Sequence, residues 1–257
     1  MLFHIREYFL YFLHKEDQHS LHSPYYFNLY KDLKSYLKEN KNGNPKIERL
    51  RKKFLSSNQE ILRTDYGAGS RWSKGQKQKV AVIAKHVSSP LKFSLLYQFL
   101  CKLSPANTVL ELGTSLGINT AYLAAVCKGE LYSYEGDPIL MGLAREHLSQ
   151  ESHINLVTGN LNETLRMSLL ALNSVDFVLI DANHRYVPTI DYFKQIVPKL
   201  HAESILVIAD IHWSKQMKKA WQELKNYPSV TESIDFFDCG VLFFGKHGVR
   251  NDYILNI

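Results

Sequence analysis

The run Val109-Leu-Glu-Leu-Gly-Thr-Ser-Leu-Gly117 decides the fold. A strand-length apolar stretch enters a tight glycine turn, and Glu135 closes the next apolar run twenty-two residues after Gly113. Strand, glycine turn, helix, strand and acid form the first half of a nucleotide-binding α/β sheet. The acid before the turn restricts the ligand. Glu111 sits where a pyrophosphate would approach the helix N-terminus, and a carboxylate there would repel it. The group expected at this loop is therefore cationic, and Glu135 is placed to accept from two ribose hydroxyls.

From residue 103 onward, strand-length apolar runs alternate with amphipathic segments of helix length. Strands are expected at 108–112, 130–135, 154–157, 175–180 and 204–209, with helices near 117–128, 138–149, 161–172, 188–200 and 214–226. Such alternation predicts a parallel sheet with right-handed crossovers and helices on both faces. In the last helix Ser214 is an expected N-cap, and Met217, Ala220, Trp221 and Leu224 fall at the spacing of one buried face. The ending differs, because the apolar runs 230–237 and 241–245 are separated only by Asp238-Cys-Gly240, too short for a crossover helix. They are expected to pair as an antiparallel hairpin.

A parallel five-stranded sheet finished by an antiparallel hairpin resembles the class I S-adenosylmethionine-dependent methyltransferases, over about residues 103–245. The resemblance implies an α/β, Rossmann-like fold with a helical N-terminal extension. It implies S-adenosylmethionine as cofactor, whose ammonium and sulfonium suit the carboxylate of Glu111. Carried over by motif, Glu111, Gly113, Thr114, Ser115, Gly117 and Asn119 approach the methionine part. For Thr114 and Ser115, turn and capping chemistry is an equal alternative. Glu135 matches the ribose acid and Gly136 leaves room beside the adenine. Asn160, in Gly159-Asn-Leu161, stands where adenine is contacted, although a helix cap would use it equally well.

The fourth strand ends in Leu179-Ile-Asp-Ala-Asn-His-Arg-Tyr186 and the fifth in Val207-Ile-Ala-Asp-Ile-His-Trp-Ser214, both at the carboxyl edge where open α/β sheets bind ligands. These endings resemble the catechol-type and macrocin-type O-methyltransferases and their bacterial relatives. That likeness places Asp181 beside the cofactor and implies that Asp181 and Asp210 hold a divalent metal such as Mg²⁺, which lowers the pKa of the acceptor hydroxyl. The acid or amide expected next to Asp210 is absent, since Ala209 and Ile211 flank it. Asn183, His184 or His212 would have to complete the shell. His184 stands near the place of a catalytic lysine in catechol-type enzymes, and His212 competes with it as general base. With Asp210 these two histidines are the expected catalytic residues.

Charge divides the chain. Its net +6 arises from +11 over residues 1–102 and −5 over residues 103–257. The first part reads as mostly helical and basic, a lid, substrate or oligomer contact, and a basic surface suits an anionic partner such as RNA, a phosphorylated metabolite or an acidic lipid. A solvated surface docked on its acidic neighbour is the alternative. Lys38 to Lys53, with Asn42-Gly-Asn-Pro45, reads as a charged mobile stretch. Asp65-Tyr-Gly-Ala-Gly-Ser70 mimics a nucleotide loop without a βαβ unit around it. His14, His19 and His22 precede Tyr25-Tyr-Phe-Asn-Leu-Tyr30 as a loop opening an aromatic-faced helix, or as a lid in which the Gly67 to Arg71 loop, with Arg71, Lys74, Lys77 and Lys79, meets a negative group. The opening residues 1–13 read as an amphipathic helix packed on the body, with membrane-surface contact as the alternative, and as neither signal peptide nor transmembrane segment. Three widely spaced cysteines, Cys101, Cys127 and Cys239, indicate free thiols in a reducing, cytoplasmic setting.

Methylation of oxygen on a small or carrier-bound acceptor is the leading expectation. Neither an Asn-Pro-Pro-Tyr nor an Asp-Pro-Pro-Tyr motif follows the fourth strand, and no Pro-Cys pair offers a nucleophile. The alternatives are an RNA methyltransferase gripping phosphates with its basic part and a non-catalytic cofactor-binding protein; a homo-oligomer is compatible with all three.

Overall fold

The computed structural model describes residues 2–62, 77–245 and 250–257. Helices α1 (Leu2–His14), α2 (Pro24–Glu39) and α3 (Pro45–Leu55) come first. The short antiparallel pair β1 (Glu60–Leu62) and β2 (Lys77–Lys79), then α4 (Val80–His86) and α5 (Leu91–Leu103), complete the N-terminal part. The alternating segment follows as β3 (Thr108–Leu112), α6 (Ile118–Ala124), β4 (Glu130–Glu135), α7 (Pro138–Leu148), β5 (Ile154–Thr158), α8 (Leu161–Ala171), β6 (Phe177–Ile180), α9 (Tyr186–Ile196), β7 (Ile205–Ala209) and α10 (Lys215–Lys225). Strands β8 (Glu232–Asp235), β9 (Cys239–Phe243) and β10 (Asp252–Ile254) end it.

The large sheet has the order β10-β8-β9-β7-β6-β3-β4-β5. Only β9 runs against its neighbours, which makes the hairpin with β8 antiparallel as expected and leaves β8 and β10 aligned with the parallel strands. The order reverses between β3 and β6, so the loops after these two strands open a crevice at the switch point.

Alternate residues of the strands face two apolar layers. Val109, Leu131, Phe177, Leu179, Ile205 and Val207 pack with α5 and with Tyr26, Leu29, Tyr30 and Leu33 of α2. Leu110, Leu112, Tyr134, Val178, Ile180, Leu206 and Ile208 pack under α8, α9 and α10. Burial on both faces explains why these strands read as unbroken apolar runs. On α10, Ser214 caps as expected, its Oγ accepting from the Met217 N–H at 3.2 Å, and Met217, Ala220, Trp221 and Leu224 are buried.

The N-terminal part departs from expectation at Lys38 to Lys53. These residues lie in the end of α2, a short turn and α3, not in an irregular stretch. Asn44 caps α3 by accepting from Lys46 and Ile47, Pro45 takes the first helical position, and Ile47 and Phe54 bury one face. The Asp65 to Ser70 cluster, Arg71 and Lys74 lie outside the described residues; Lys77 and Lys79 stand on β2. No described helix is long and apolar enough to cross a membrane, and the three cysteines are free.

Candidate functional site

The ends of β3 and β6 meet through their backbones. Asp181 donates its N–H to the Leu112 carbonyl at 2.8 Å, and Gly113 donates to the Tyr134 carbonyl at 2.9 Å. Gly113 has φ of 108°, and a β-carbon there would lie 2.2 Å from the Asp181 carbonyl oxygen. Only glycine permits that approach. Gly117 starts α6 in a left-handed conformation with φ of 74°.

Below this turn Glu111 is fully buried. Its Oε2 accepts from Thr120 Oγ1 at 2.5 Å and Ser133 Oγ at 2.6 Å, while Oε1 is buried with no partner. Burial raises the Glu111 carboxyl to about 8, against a smaller downward pull from the Ser133 and Thr120 hydroxyls. An unpartnered buried carboxylate oxygen needs a cation or donor to compensate it. At the end of β4, Glu135 accepts from the Ser115 N–H at 2.8 Å and from the Asp137 N–H at 2.9 Å. These bonds fix the orientation of the carboxylate. Thr114 Oγ1 pairs with Ser133 Oγ at 2.6 Å, and Ser115 Oγ is buried without a partner. Asp137 beside Gly136 caps α7.

After β6 and β7 the loops bring Asp181, His184 and Asp210 together. His184 Nε2 is 3.8 Å from Asp181 Oδ1 and its Nδ1 is 3.5 Å from Asp210 Oδ2. One ligating atom of each residue lies within 4.8 Å of the others. Burial lifts Asp181 to about 6, opposed by His184. Asn183, His184 and Asp210 have φ of 68°, 40° and 58°, and Ser115 has 49°. Left-handed backbone at four residues without the freedom of glycine stores strain at one edge of the sheet, as at many ligand sites. Ile211 is wholly buried and offers no ligand.

His212 is elsewhere. Its Nε2 is 2.8 Å from Asp235 Oδ2, its Nδ1 is 3.6 Å from Glu7 Oε2, and the ring stacks on Phe237 with centroids 5.0 Å apart. It lines a cavity of about 290 Å³ beneath α1 with Tyr11, Lys218 and Asp252. The structure thus joins His184, not His212, to both aspartates. Asn160 caps α8, accepting from the Asn162 N–H at 3.1 Å, in an exposed position.

One participant carries no sequence signal. Ser89, in the turn before α5, has its Oγ 2.9 Å from Asn119 Nδ2 and 3.5 Å from Asp181 Oδ2. Asn119 Oδ1 accepts from Ser94 Oγ at 2.7 Å. The N-terminal part therefore supplies one wall of the crevice. Nothing in the spacing of Ser89 marks it, because only the fold brings it to Asp181.

Residues 110–211 match a family model described as a methyltransferase domain. Solved structures share the fold. An O-methyltransferase from Bacillus cereus in complex with SAH is 16% identical, with 62% of this chain and 83% of that chain covered and a TM-score of 0.54. The O-methyltransferase TomG from Streptomyces achromogenes, involved in tomaymycin synthesis and solved with SAM, is 16% identical over 63% and 83%, with a TM-score of 0.53. A proposed caffeoyl-CoA O-methyltransferase from Staphylococcus aureus is 16% identical over 83% and 99%, with a TM-score of 0.57. No curated protein matches the chain. The α/β sheet has the fold of the class I methyltransferases, as the run of parallel strands closed by an antiparallel hairpin implied.

Proposed function

We propose that this protein is an S-adenosylmethionine-dependent methyltransferase acting on a hydroxyl oxygen of a small or carrier-bound acceptor. The carrying observation is the fully buried Glu111, whose unpartnered Oε1 lies under the glycine turn of a methyltransferase-type sheet. The cofactor's ammonium suits that oxygen, and Gly113, Thr114, Ser115 and Gly117 form the turn around the methionine part. Glu135, oriented by the Ser115 and Asp137 N–H groups, stands at the end of β4 as the acid that would accept from the ribose hydroxyls. Gly136 and Asn160 border the adenine end, with Asn160 also capping α8. The cofactor supplies an electrophilic methyl group.

His184 is the general base in this reading. Its Nδ1 is buried toward Asp210, which favours a proton on that nitrogen and leaves Nε2 to take the hydroxyl proton. When the acceptor hydroxyl gives up its proton to become the nucleophile, Nε2 would take that proton and hold it. Asp181 and Asp210 stabilise the resulting imidazolium. In-line alignment by the crevice walls, Ser89 and Asn119 included, supplies much of the remaining acceleration.

A second reading follows from the cluster itself: Asp181, His184 and Asp210 would hold a divalent cation that acidifies the acceptor hydroxyl. Two carboxylates and one imidazole suit a Mn²⁺- or Zn²⁺-like ion better than Mg²⁺, which would need water for most of its shell. In that case His184 is a ligand and not the base. Asp210 serves either reading. The absence of a membrane-crossing helix among the described residues is compatible with a cytoplasmic setting.

The test is transfer of labelled methyl from S-adenosylmethionine into a cell extract fractionated into metabolites, lipids, RNA and protein, with Glu135→Ala as control. Label in metabolites or lipids that the variant loses is the expected result. Label in RNA alone would move the acceptor to nucleic acid and the basic N-terminal part to its grip. No label, with cofactor binding intact by calorimetry, would overturn the catalytic reading.

A further inference from the structure

Helix α1 is apolar on two opposite faces, and only one is covered. Glu7, Leu10 and Tyr11 face the body, where Tyr11 donates to the Leu255 carbonyl at 2.6 Å and Glu7 is buried against Lys218 and His212. The other face carries Ile5, Tyr8, Phe9, Phe12 and Leu13, each 53% to 60% exposed. At about 100° per residue these five side chains fill an arc of roughly 140°. Five large apolar residues exposed in one stripe exceed the scattered exposure of an ordinary surface.

Charge indicates what covers the stripe. On the same wheel Arg6 borders the arc beside Leu13, and Lys15 borders it beside Tyr8, with Lys15 Nζ 4.2 Å from the Phe12 ring centroid. Lys15 continues the helical pattern, its N–H reaching the Tyr11 carbonyl at 2.8 Å. The helix has a single acid, Glu7, and that is buried on the opposite side and paired with Lys218. Glu16 and Asp17 come after the helix, where the chain turns to β10 through the Glu16 N–H and the Ile254 carbonyl. The open face is thus an aromatic and aliphatic stripe with a cation on each border and no acid within it. A two-fold contact between copies would set cation against cation along both rims of the stripe, with no acid of the helix to pair them. An anionic bilayer supplies both the missing charge and the apolar layer, and long basic side chains at the stripe's borders can reach its headgroups.

We propose that α1 docks the protein peripherally on anionic lipid membranes, its Ile5–Leu13 stripe lying in the headgroup boundary. This inference stands apart from the methyl-transfer reading. It does place the carboxyl edge of the sheet beside the bilayer, because His4 and Tyr8 of α1 pack on Phe237 at 5.1 Å between ring centroids, and Asp210 donates its N–H to the neighbouring Asp238 carbonyl.

The whole 257-residue chain would be sedimented with vesicles of phosphatidylcholine alone and of an equal mixture with phosphatidylglycerol. Stronger partition into the mixed vesicles is expected. It should fall about tenfold or more in a Phe9→Glu, Phe12→Glu double variant, and several-fold in an Arg6→Gln, Lys15→Gln variant. The substituted groups lie at the surface, so unchanged melting would certify the fold. Failure to partition, or partition unaffected by the double variant, would overturn the proposal. So would a dimer in sedimentation analysis that the double variant dissolves, because the stripe would then belong to a second copy.

Discussion

His184 Nδ1 lies 3.5 Å from Asp210 Oδ2, and the same ring reaches Asp181 through its other nitrogen at 3.8 Å. One imidazole therefore spans the carboxylates from the ends of two neighbouring parallel strands. His212, two residues beyond Asp210, has its ring committed to Asp235 and Glu7 and stacked on Phe237. The two histidines should separate in function. His184→Ala is expected to lower kcat by about 10² or more while leaving cofactor affinity nearly intact. His212→Ala is expected to cost about 1–3 kcal/mol of stability, by stripping buried Asp235 of a partner, with kcat little changed. Steady-state kinetics and denaturant melts on both variants check this, and the reverse pattern would reassign the base.

Glu111 gives a pH signature with a definite sign. Burial raises its carboxyl to about 8 from a usual value near 4.5, so the free folded protein holds a proton there at neutral pH that the unfolded chain has released. Through this group, stability falls as pH rises from about 4.5 to 8. A cationic ligand on Oε1 requires the ionised form, so binding releases a proton and affinity climbs by up to tenfold per pH unit until about pH 8. Calorimetry of S-adenosylmethionine binding in buffers of different ionisation enthalpy measures the release. Glu111→Gln should abolish it, weaken binding, and melt higher than the unsubstituted protein above pH 8 when no ligand is present.

Two glycines give opposite outcomes. At Gly113 a β-carbon meets the Asp181 carbonyl oxygen at 2.2 Å in a backbone with φ of 108°. Gly113→Ala should cost at least about 2 kcal/mol and remove cofactor binding, because β3 and β6 must part to admit the methyl group. Gly142, inside α7, has open space around its β-carbon position. Gly142→Ala should raise stability by about 0.5–1 kcal/mol. Thermal melts of both, with binding measured on each, decide the matter.

The order of motifs was readable because strands buried on both faces show as continuous apolar runs, and because α10 places Met217, Ala220, Trp221 and Leu224 at helical spacing. The carboxyl-edge position of the loops after β6 and β7 followed from the same reading, whereas the reversal of strand order between β3 and β6 did not. Other features were hidden by overlapping signals. Asn44-Pro45 falls in the stretch expected to be mobile, although the same pair is a helix cap and first helical residue, and the basic exposed side of α3 masks its apolar one. The three-residue β10 is too short for a periodic signal and owes its place to pairing with β8. Left-handed backbone at His184 and Asp210 is uncommon outside glycine even though these residue types tolerate it, and no local rule announces it at these two positions. Ser89 reaches Asp181 across 92 positions of sequence, a distance that only tertiary packing closes.

Chelation separates the base reading from the metal reading. Beside Asp210, where the resemblance calls for another ligand, stands the buried Ile211, so a cation site here would need His184 as a ligand and could not also use it as the proposed base. Turnover within about twofold of the untreated enzyme after exhaustive removal of divalent metal is expected, since a general base of this kind supplies roughly 10²–10⁴-fold without metal. Loss of turnover restored by Mn²⁺ or Zn²⁺ would instead make Asp181, His184 and Asp210 the ligands.

Arg51 should act on the site from α3 without touching it. Its guanidinium, mostly buried, donates to the Ser89 carbonyl at 2.6 Å and to Ser94 Oγ at 3.1 Å, and Ser94 in turn donates to Asn119 Oδ1. Asn119 Nδ2 closes the circuit on Ser89 Oγ, which approaches Asp181. One planar cation thus fixes both the backbone of the Ser89 turn and the amide that meets it. A lysine cannot reproduce two such bonds at once. Arg51→Lys is expected to lower kcat/KM by about tenfold, with Ser89→Ala costing a similar amount, and the double variant should be little worse than either alone. That non-additivity is the reading that matters. A merely structural Arg51 would lower stability while its kinetic effect simply added to that of Ser89→Ala.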